Sequence, residues 1–519
     1  MIYLYLIFIR GGELVLEFDF EYMSQNDIFE YLLEFYAKNY EHSLVREENQ
    51  YIFKIKGDEK ELTTFCESLN GISNSVFLRK FEVKEAQDFI SSSQDKQYSL
   101  FKYLTHLNSN AYIQQKALIE NEWGVFCELD LSFDGINFTK LNKDNFKILL
   151  EKAIKILKNS EKIWIKNHKG IYELLLFNDN FECDFLIPCD IKAINSAFVC
   201  SNENLKLLAS LEKPLIKLRF NAMFRKNHAL ILSDFRVKLA EDLFSFALCF
   251  ELWREDFKFL NVKKVQNDFD DFELLSLEER ILVLRGFEFI DTKARELIFS
   301  KEDKNYARLS YLVSRFKQNA LILELSKDYE DILLVNKELN LLKLRLPKNS
   351  KELYEDIKKD SVGARLLENY AKEFPLLDEE FPLIINNFFS LFCILGRILK
   401  LDEDFLRAGE KLLELADNTK IPRGVKIDYR LDELGNFDYA RTLRSAMSFM
   451  LAGVEATNIA YGTLESLAYF LRDMNDDLRE KKQIQIAVIS GSLFEHKALL
   501  KNALKHIKDC KLSDVALRI

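Results

Sequence analysis

The stretch that most constrains this chain lies near its end: Gln483-Ile484-Gln485-Ile486-Ala487-Val488-Ile489-Ser490-Gly491-Ser492-Leu493-Phe494-Glu495-His496-Lys497-Ala498-Leu499-Leu500. Ile484 to Ile489 is a short, largely β-branched run, the pattern of a strand buried in a sheet. Ser490-Gly491-Ser492 breaks it. Leu493, Phe494, Leu499 and Leu500, with Lys497, Lys501 and Lys505 between and after them, then space out a helix with one apolar face. A strand, a glycine turn and a helix together can aim backbone N–H groups and a helix N-terminus at a phosphate. Alone the pattern is not specific. Every parallel α/β protein has several such turns, and a turn without a ligand is the commoner case.

Composition decides how that element is embedded. Among 519 residues there are only 16 Gly and 6 Pro, so tight turns are few and long helices should dominate. The length suits about three domains. The formal charge is −10 with no lysine- or arginine-dense tail, which gives no support for nucleic-acid or anionic-membrane binding. Met1 to Ile9 is apolar, yet no basic segment precedes it and Arg10-Gly11-Gly12 ends it, so a buried first strand is expected rather than a signal peptide or a membrane span. A cytoplasmic protein is expected. The 8 cysteines include no Cys-x-x-Cys pair and the 6 histidines no i, i+4 pair, so no metal site is expected.

Along the chain, Leu14 to Phe20 alternates as a half-exposed strand, and Ser24 to Tyr40 fits a helix capped at Ser24 or Asn26. Tyr51 to Ile55 reads as a strand, Glu59 to Leu69 as a helix and Val76 to Val83 as a strand. Ser91-Ser92-Ser93-Gln94-Asp95 is a linker candidate, and Asn267-Asp268-Phe269-Asp270-Asp271 a second polar break. Ser276-Leu277-Glu278-Glu279 offers a capping box that would open a helix. From about residue 300 the pattern is largely helical, with Lys351 to Phe374 and Leu383 to Ala416 the longest runs.

The wording of several segments resembles the HypF-type carbamoyltransferases, which help build the active-site ligands of nickel–iron hydrogenases. The terminal turn is similar to that family's Ser-Gly-Gly-Val-Phe-x-Asn, with Ser490, Gly491 and Phe494 matching, Ser492 for the second Gly and His496 for the Asn. Ile165-Lys166-Asn167-His168-Lys169-Gly170-Ile171-Tyr172 resembles the Ile-Lys-Gly-x-Gly-Gly-Phe-His segment of the YrdC-like domain, keeping Lys166 and Gly170. Leu208-Ala209-Ser210-Leu211-Glu212-Lys213-Pro214-Leu215-Ile216 resembles Leu-x-Ser-x-x-Arg-Pro-Ile-Val, with Lys213 at the Arg. Phe392-Cys393-Ile394-Leu395-Gly396-Arg397-Ile398-Leu399-Lys400-Leu401 tracks a helix whose family Asp is Cys393 here, and a nucleotide-facing Glu becomes Phe405.

The resemblance implies a helix-rich, multidomain α/β and α+β fold with three modules in series. These are an acylphosphatase-like unit (1–90), a YrdC-like unit (96–265) and an actin/sugar-kinase-like, Kae-type unit (272–519). It places vestigial nucleotide sites at Ser490, Gly491, Ser492 and His496, and at Lys166, Gly170 and Lys213, with no catalytic residue assigned. What fails to match is chemistry. The acylphosphatase phosphate loop, the zinc-finger cysteines, the Thr-Ser-Gly-Asn segment and the metal-holding histidines are all missing. Cysteine for aspartate removes a charge and a hard oxygen ligand, and phenylalanine for glutamate replaces an acceptor with an apolar ring. The expectation is a degenerate, zinc-finger-less relative that binds or scaffolds during hydrogenase maturation, with a hydrogenase subunit or other maturation proteins as partners. No cofactor is expected, although ATP is the nucleotide such a fold would take; the alternative is a working carbamoyl- or nucleotide-transfer enzyme with a rebuilt site. On the vestigial reading, Ser492 sits in a surface turn with little to lose.

Overall fold

The computed structural model describes residues 13–24, 28–47, 49–69, 74–91, 104, 106–118, 129–178, 182–228, 233–268, 270–277, 280–286, 292–316, 319–335, 342–382, 385–513 and 517. The expected first strand at Met1 to Ile9, the Gln25 to Asp27 end of the first helix and most of the Ser91 to Asp95 linker lie outside them. The chain forms two compact units, residues 1–276 with 285–300, and residues 277–284 with 301–518.

The first unit opens with an antiparallel sheet in the order Glu41–Glu47, Gln50–Gly57, Leu14–Tyr22, Leu78–Glu85. Helices Ile28–Ala37 and Glu59–Ser68 fill the two crossovers, giving the β-α-β-β-α-β order of an acylphosphatase-like module. Period-two alternation puts Phe18, Phe20 and Tyr22 on the covered face with Phe53 and Phe65. Asp58 caps the second helix in a reciprocal box with Glu61. The strand Glu41–Glu47 was not legible because its inward residues are polar: His42 is buried against Glu34, with Nε2 to Oε2 at 2.6 Å.

The same unit continues as a larger mixed sheet. Its strands run Glu273–Leu277, Leu215–Phe220, Asp234–Val237, Phe185–Pro188, Phe259–Asn267, Gly170–Leu176, Ile163–Asn167, Asp130–Ser132 and Thr139–Lys140. Helices Phe146–Lys158 and Leu243–Arg254 cover it, joining Leu150, Leu157, Phe244 and Leu248 to Ile163, Leu174 and Val262 in one core. The helix expected to open at Ser276 is not formed. That region is strand, Glu273–Leu277 and then Arg280–Arg285, because long-range pairing of Glu273 and Leu274 with Leu215 and Ile216, and the continuous apolar run Ile281 to Leu284, outweigh a local capping pattern.

In the second unit a four-stranded sheet runs Ile332–Val335, Ala320–Glu324, Ile486–Ser490, Cys510–Leu512, with Ala320–Glu324 and Ile486–Ser490 parallel. All five residues of Ile486–Ser490 are buried, as their continuous apolar pattern requires. The long helical runs divide at polar breaks: Ser350–Ile357 from Ser361–Glu373, and Phe388–Ile398 from Phe405–Asn418. The last two pack so closely that a Cβ on Gly409 would lie 2.5 Å from Cys393 Sγ. Cys393 is therefore a helix-packing residue, and burial pushes its thiol up to about 12. Cys66, Cys189 and Cys249 are buried likewise. Among the described residues no three His, Cys, Asp or Glu side chains gather as metal ligands, and no helix is long and apolar enough to cross a membrane.

Candidate functional site

The turn at Ser490-Gly491-Ser492 is built against a second loop that follows the parallel strand Ala320–Glu324. Leu325 N–H donates to Ser490 O at 3.0 Å, and Leu493 N–H donates to Leu325 O at 2.9 Å. Gly491 sits between these bonds at φ 95°, where an added Cβ would fall 2.2 Å from Leu325 O, so only glycine fits. Ser492 is buried, contrary to the expectation of a surface turn: its Oγ accepts Lys327 N–H at 2.8 Å and lies 3.4 Å from Asp328 Oδ2. The hydroxyl that would face a phosphate is bonded to the chain itself.

The opposing loop is equally occupied. Ser326 Oγ accepts the N–H groups of Asp328 and Tyr329 at 3.0 and 3.2 Å. Asp331, wholly buried, accepts Ser326 N–H at 2.9 Å and Phe388 N–H at 2.6 Å, and its burial raises it well above the usual carboxylate range. Asn387 donates to the carbonyls of Ser326 and Tyr329 at 3.0 and 2.9 Å and caps the helix Phe388–Ile398 through Ser390 N–H. Lys327 carries the cation. Its Nζ lies 2.9 Å from both Glu410 oxygens and 2.9 Å from Glu495 Oε1, over the Phe389 ring at 5.4 Å. From beneath, the fully buried Arg308 donates to Ser490 Oγ at 2.6 Å and pairs with Glu324. His496 contacts Asp417 Oδ2 at 2.9 Å, while Asp417 Oδ1 accepts Ala498 N–H and so caps the helix Lys497–His506.

The sequence reading grouped Ser490, Gly491, Ser492 and His496, and it did not include Lys327, Asp331 and Arg308, which the structure places around the same turn. The signal was present. Ala320 to Leu323 is an apolar run followed, after Glu324 and Leu325, by Ser326-Lys327-Asp328, a second strand-then-polar turn like the first.

In the first unit Lys166 is exposed on the strand Ile163–Asn167, its Nζ 6.0 Å from the Phe138 ring centre. Gly170 closes the hairpin at φ 136°, where a Cβ would meet Gln266 O at 2.0 Å. Between them Lys169, which the family motif reads as glycine, turns inward and is 1% exposed. Its Nζ bonds Glu241 at 2.7 Å; Lys238 bonds Glu241 at 2.8 Å and Asp271 at 2.6 Å. Lys264 lies 3.5 Å from Asp271, which also accepts Tyr172 OH at 3.1 Å. Burial alone would raise Asp271, but Lys238, Lys169 and Lys264 outweigh it and hold the carboxyl well below its usual range. The cavity left beside this network, lined by Asn167, Tyr172, Lys238, Asp242 and Ser245, measures about 30 Å³, room for roughly one water. Lys213, at φ 45°, bends back so that Nζ donates to the carbonyls of Ala209 and Ser210 at 3.0 and 2.8 Å, closing a helix end.

No protein-family profile matches the chain. Protein HydE of Wolinella succinogenes is similar, at 23% identity over 498 aligned positions, covering 88% of this chain and 89% of the relative. Two solved structures share the architecture. Full-length HypF in a phosphate- and nucleotide-bound form superposes with TM-score 0.54 at 12% identity, covering 98% of this chain and 97% of that one. The HypF of T. kodakarensis gives TM-score 0.57 at 12% identity, covering 98% and 96%. The acylphosphatase-like sheet, the mixed sheet and the helix-rich second unit thus follow the plan of those structures, and this chain has a HypF-like fold.

Proposed function

We propose that this chain is a hydrogenase-maturation accessory protein that keeps the HypF plan for binding or scaffolding and not for carbamoyl transfer. One observation carries the reading: at the Ser490–Ser492 turn the groups suited to phosphate are satisfied from within, Ser492 by Lys327 N–H and Lys327 by Glu410 and Glu495. Carboxylates there do what phosphate oxygens do in an occupied site, so an incoming nucleotide has to displace two charged partners before gaining one. The lysines around Asp271 are neutralised in the same way. Similarity to HydE along most of both chains, and a HypF-like fold in which Cys393 packs on a helix, fit a relative that lost its chemistry and kept its surfaces. It works in the cytoplasm, with a hydrogenase subunit or another maturation protein as partner and without a cofactor.

Calorimetric titration of the full chain with ATP, with and without Mg²⁺, tests the proposal. No saturable heat is expected up to about 1 mM, near 4 kcal/mol of binding free energy. Saturable binding that Glu410→Gln and Glu495→Gln leave unchanged, together with release of AMP or phosphate from carbamoyl phosphate and ATP, would restore the alternative of a working transferase.

A further inference from the structure

A cavity opens in the second unit where the helix Phe388–Ile398 ends, and it shares no residue with the Ser490 turn. The helix closes in a doubly bonded turn: Lys400 N–H donates to Arg397 O at 3.0 Å and Leu401 N–H to Gly396 O at 3.0 Å, with Lys400 at φ 56°. Glycine is the usual residue at that position, because a side chain strains the left-handed backbone. Here it is a lysine whose side chain lines the cavity, with Nζ 5.4 Å from the centre of the Phe374 ring. A strained residue beside a cavity points to a use for its side chain.

The cavity measures about 650 Å³, a size typical of small-molecule sites. Its floor is apolar, made by Tyr354, Tyr370 and Ile398. Both tyrosine hydroxyls are engaged by backbone, Tyr354 accepting Leu377 N–H at 2.7 Å and Tyr370 donating to Ile398 O at 3.1 Å, so a ligand would meet the rings. Three cations line the space, Arg397, Lys400 and Lys411. Glu379 holds Arg397 at 2.8 and 3.0 Å, and Asp402 holds Lys411 at 2.6 Å. Glu403, also in the lining, feels Arg397 only at longer range. Neither Lys400 nor Glu403 has an ion pair among the described residues. The walls thus leave one uncompensated charge of each sign above an apolar floor. Lys400 and Glu403 stand three residues apart in the chain, so their Cα atoms lie within about 11 Å and one small molecule can reach both side chains.

We propose that this cavity binds a free α-amino acid with a large apolar side chain. Its carboxylate sits on Lys400, its ammonium on Glu403 and its side chain on the tyrosine floor. A molecule carrying only one of the two charges leaves the other group of the site unsatisfied, which is how such a site rejects analogues. The inference is independent of whether the Ser490 turn binds nucleotide.

Calorimetric titration of the full chain with L-phenylalanine and L-leucine tests it, against phenethylamine, which lacks the carboxylate, and hydrocinnamate, which lacks the ammonium. The amino acids should bind saturably, and either analogue roughly tenfold or more weaker. Lys400→Gly should remove the preference for L-phenylalanine over phenethylamine, and Glu403→Gln the preference over hydrocinnamate. Because glycine relieves the backbone at position 400, Lys400→Gly should melt at or above the wild-type temperature, so its loss of binding cannot come from misfolding. No saturable heat with either amino acid up to about 10 mM, or binding that either variant leaves unchanged, would overturn the proposal.

Discussion

The Ser490–Ser492 turn and the Lys169–Lys238–Asp271 network both neutralise lysine with the chain's own carboxylates, but at different depths. Lys327 is 6% exposed, yet its partners Glu410 and Glu495 are 43% and 21% exposed, so water shares the work of solvating them. In the other network the exposures are 1% for Lys169, 3% for Lys238 and 8% for Asp271. Charges that deep have surrendered most of their hydration, and each depends on its neighbours. The difference teaches which of the two can change without unfolding the protein. The outer one is a surface that evolution can retune; the inner one is now part of the core.

The largest effect that would break this comparison is expected at Asp271. Asp271→Ala leaves the buried Lys169 and Lys238, and Lys264 beside them, with Glu241 as the one carboxylate of the network and takes the acceptor from the Tyr172 hydroxyl, which should cost about 3–5 kcal/mol in urea unfolding. Glu410→Gln, at a 43% exposed carboxylate with Glu495 still in place, should cost under about 1 kcal/mol. Equal losses would mean that depth does not separate the two sites.

Within the turn itself the contrast can be sharpened between neighbouring residues. Phe494 is fully buried, and Phe494→Ala should cost about 3–5 kcal/mol through the cavity it leaves. Ser492→Val removes the acceptor for Lys327 N–H in a site without solvent, so about 1–3 kcal/mol is expected. Hydrogen exchange at the Lys327 amide should rise in Ser492→Val and stay slow in Phe494→Ala under native conditions. A Ser492→Val protein with wild-type stability would mean that the turn is as open as its sequence suggests.

How much of this was legible follows from the range of the forces involved. The strand Ile486–Ser490 and the alternating first strand were readable because burial imposes a local period. The polar strand Glu41–Glu47 was not, since His42 is stabilised by Glu34 on the neighbouring helix and not by apolar burial. Ser276 looked like a helix start because a capping box is judged over four residues, whereas pairing of Glu273 with Leu215 is a long-range contact. The site residues divide the same way. Gly491 was found as the break after a buried strand, and Gly170 through resemblance to a family segment. Lys327, Arg308 and Asp271 act through partners 83, 182 and 33 residues away, and of the three only Lys327 is marked locally, by the strand-then-polar turn it sits in.

Lys213 offers the smallest and most selective test, because it was assigned to nucleotide by resemblance and to helix carbonyls by geometry. Desolvation pushes its ammonium down to about 8, against about 10.4 for an ordinary lysine, and neighbouring Glu212 offsets this only in part. Between those values the unfolded chain binds a proton that the folded chain does not. Stability contributed by this residue therefore rises with pH from about 8 to about 10 and is flat below about 7. Lys213→Met cannot titrate. The difference in urea midpoint between wild type and Lys213→Met should shift in favour of wild type as pH goes from 7.5 to 9.5, by a fraction of a kcal/mol to about 2 kcal/mol since the group is half-buried. A constant difference would mean that the carbonyls of Ala209 and Ser210 keep the ammonium charged throughout. Repeating the series with ATP separates the two assignments: a phosphate on Lys213 would hold its proton and erase the slope, whereas a lysine that only closes a helix end will titrate the same with or without nucleotide.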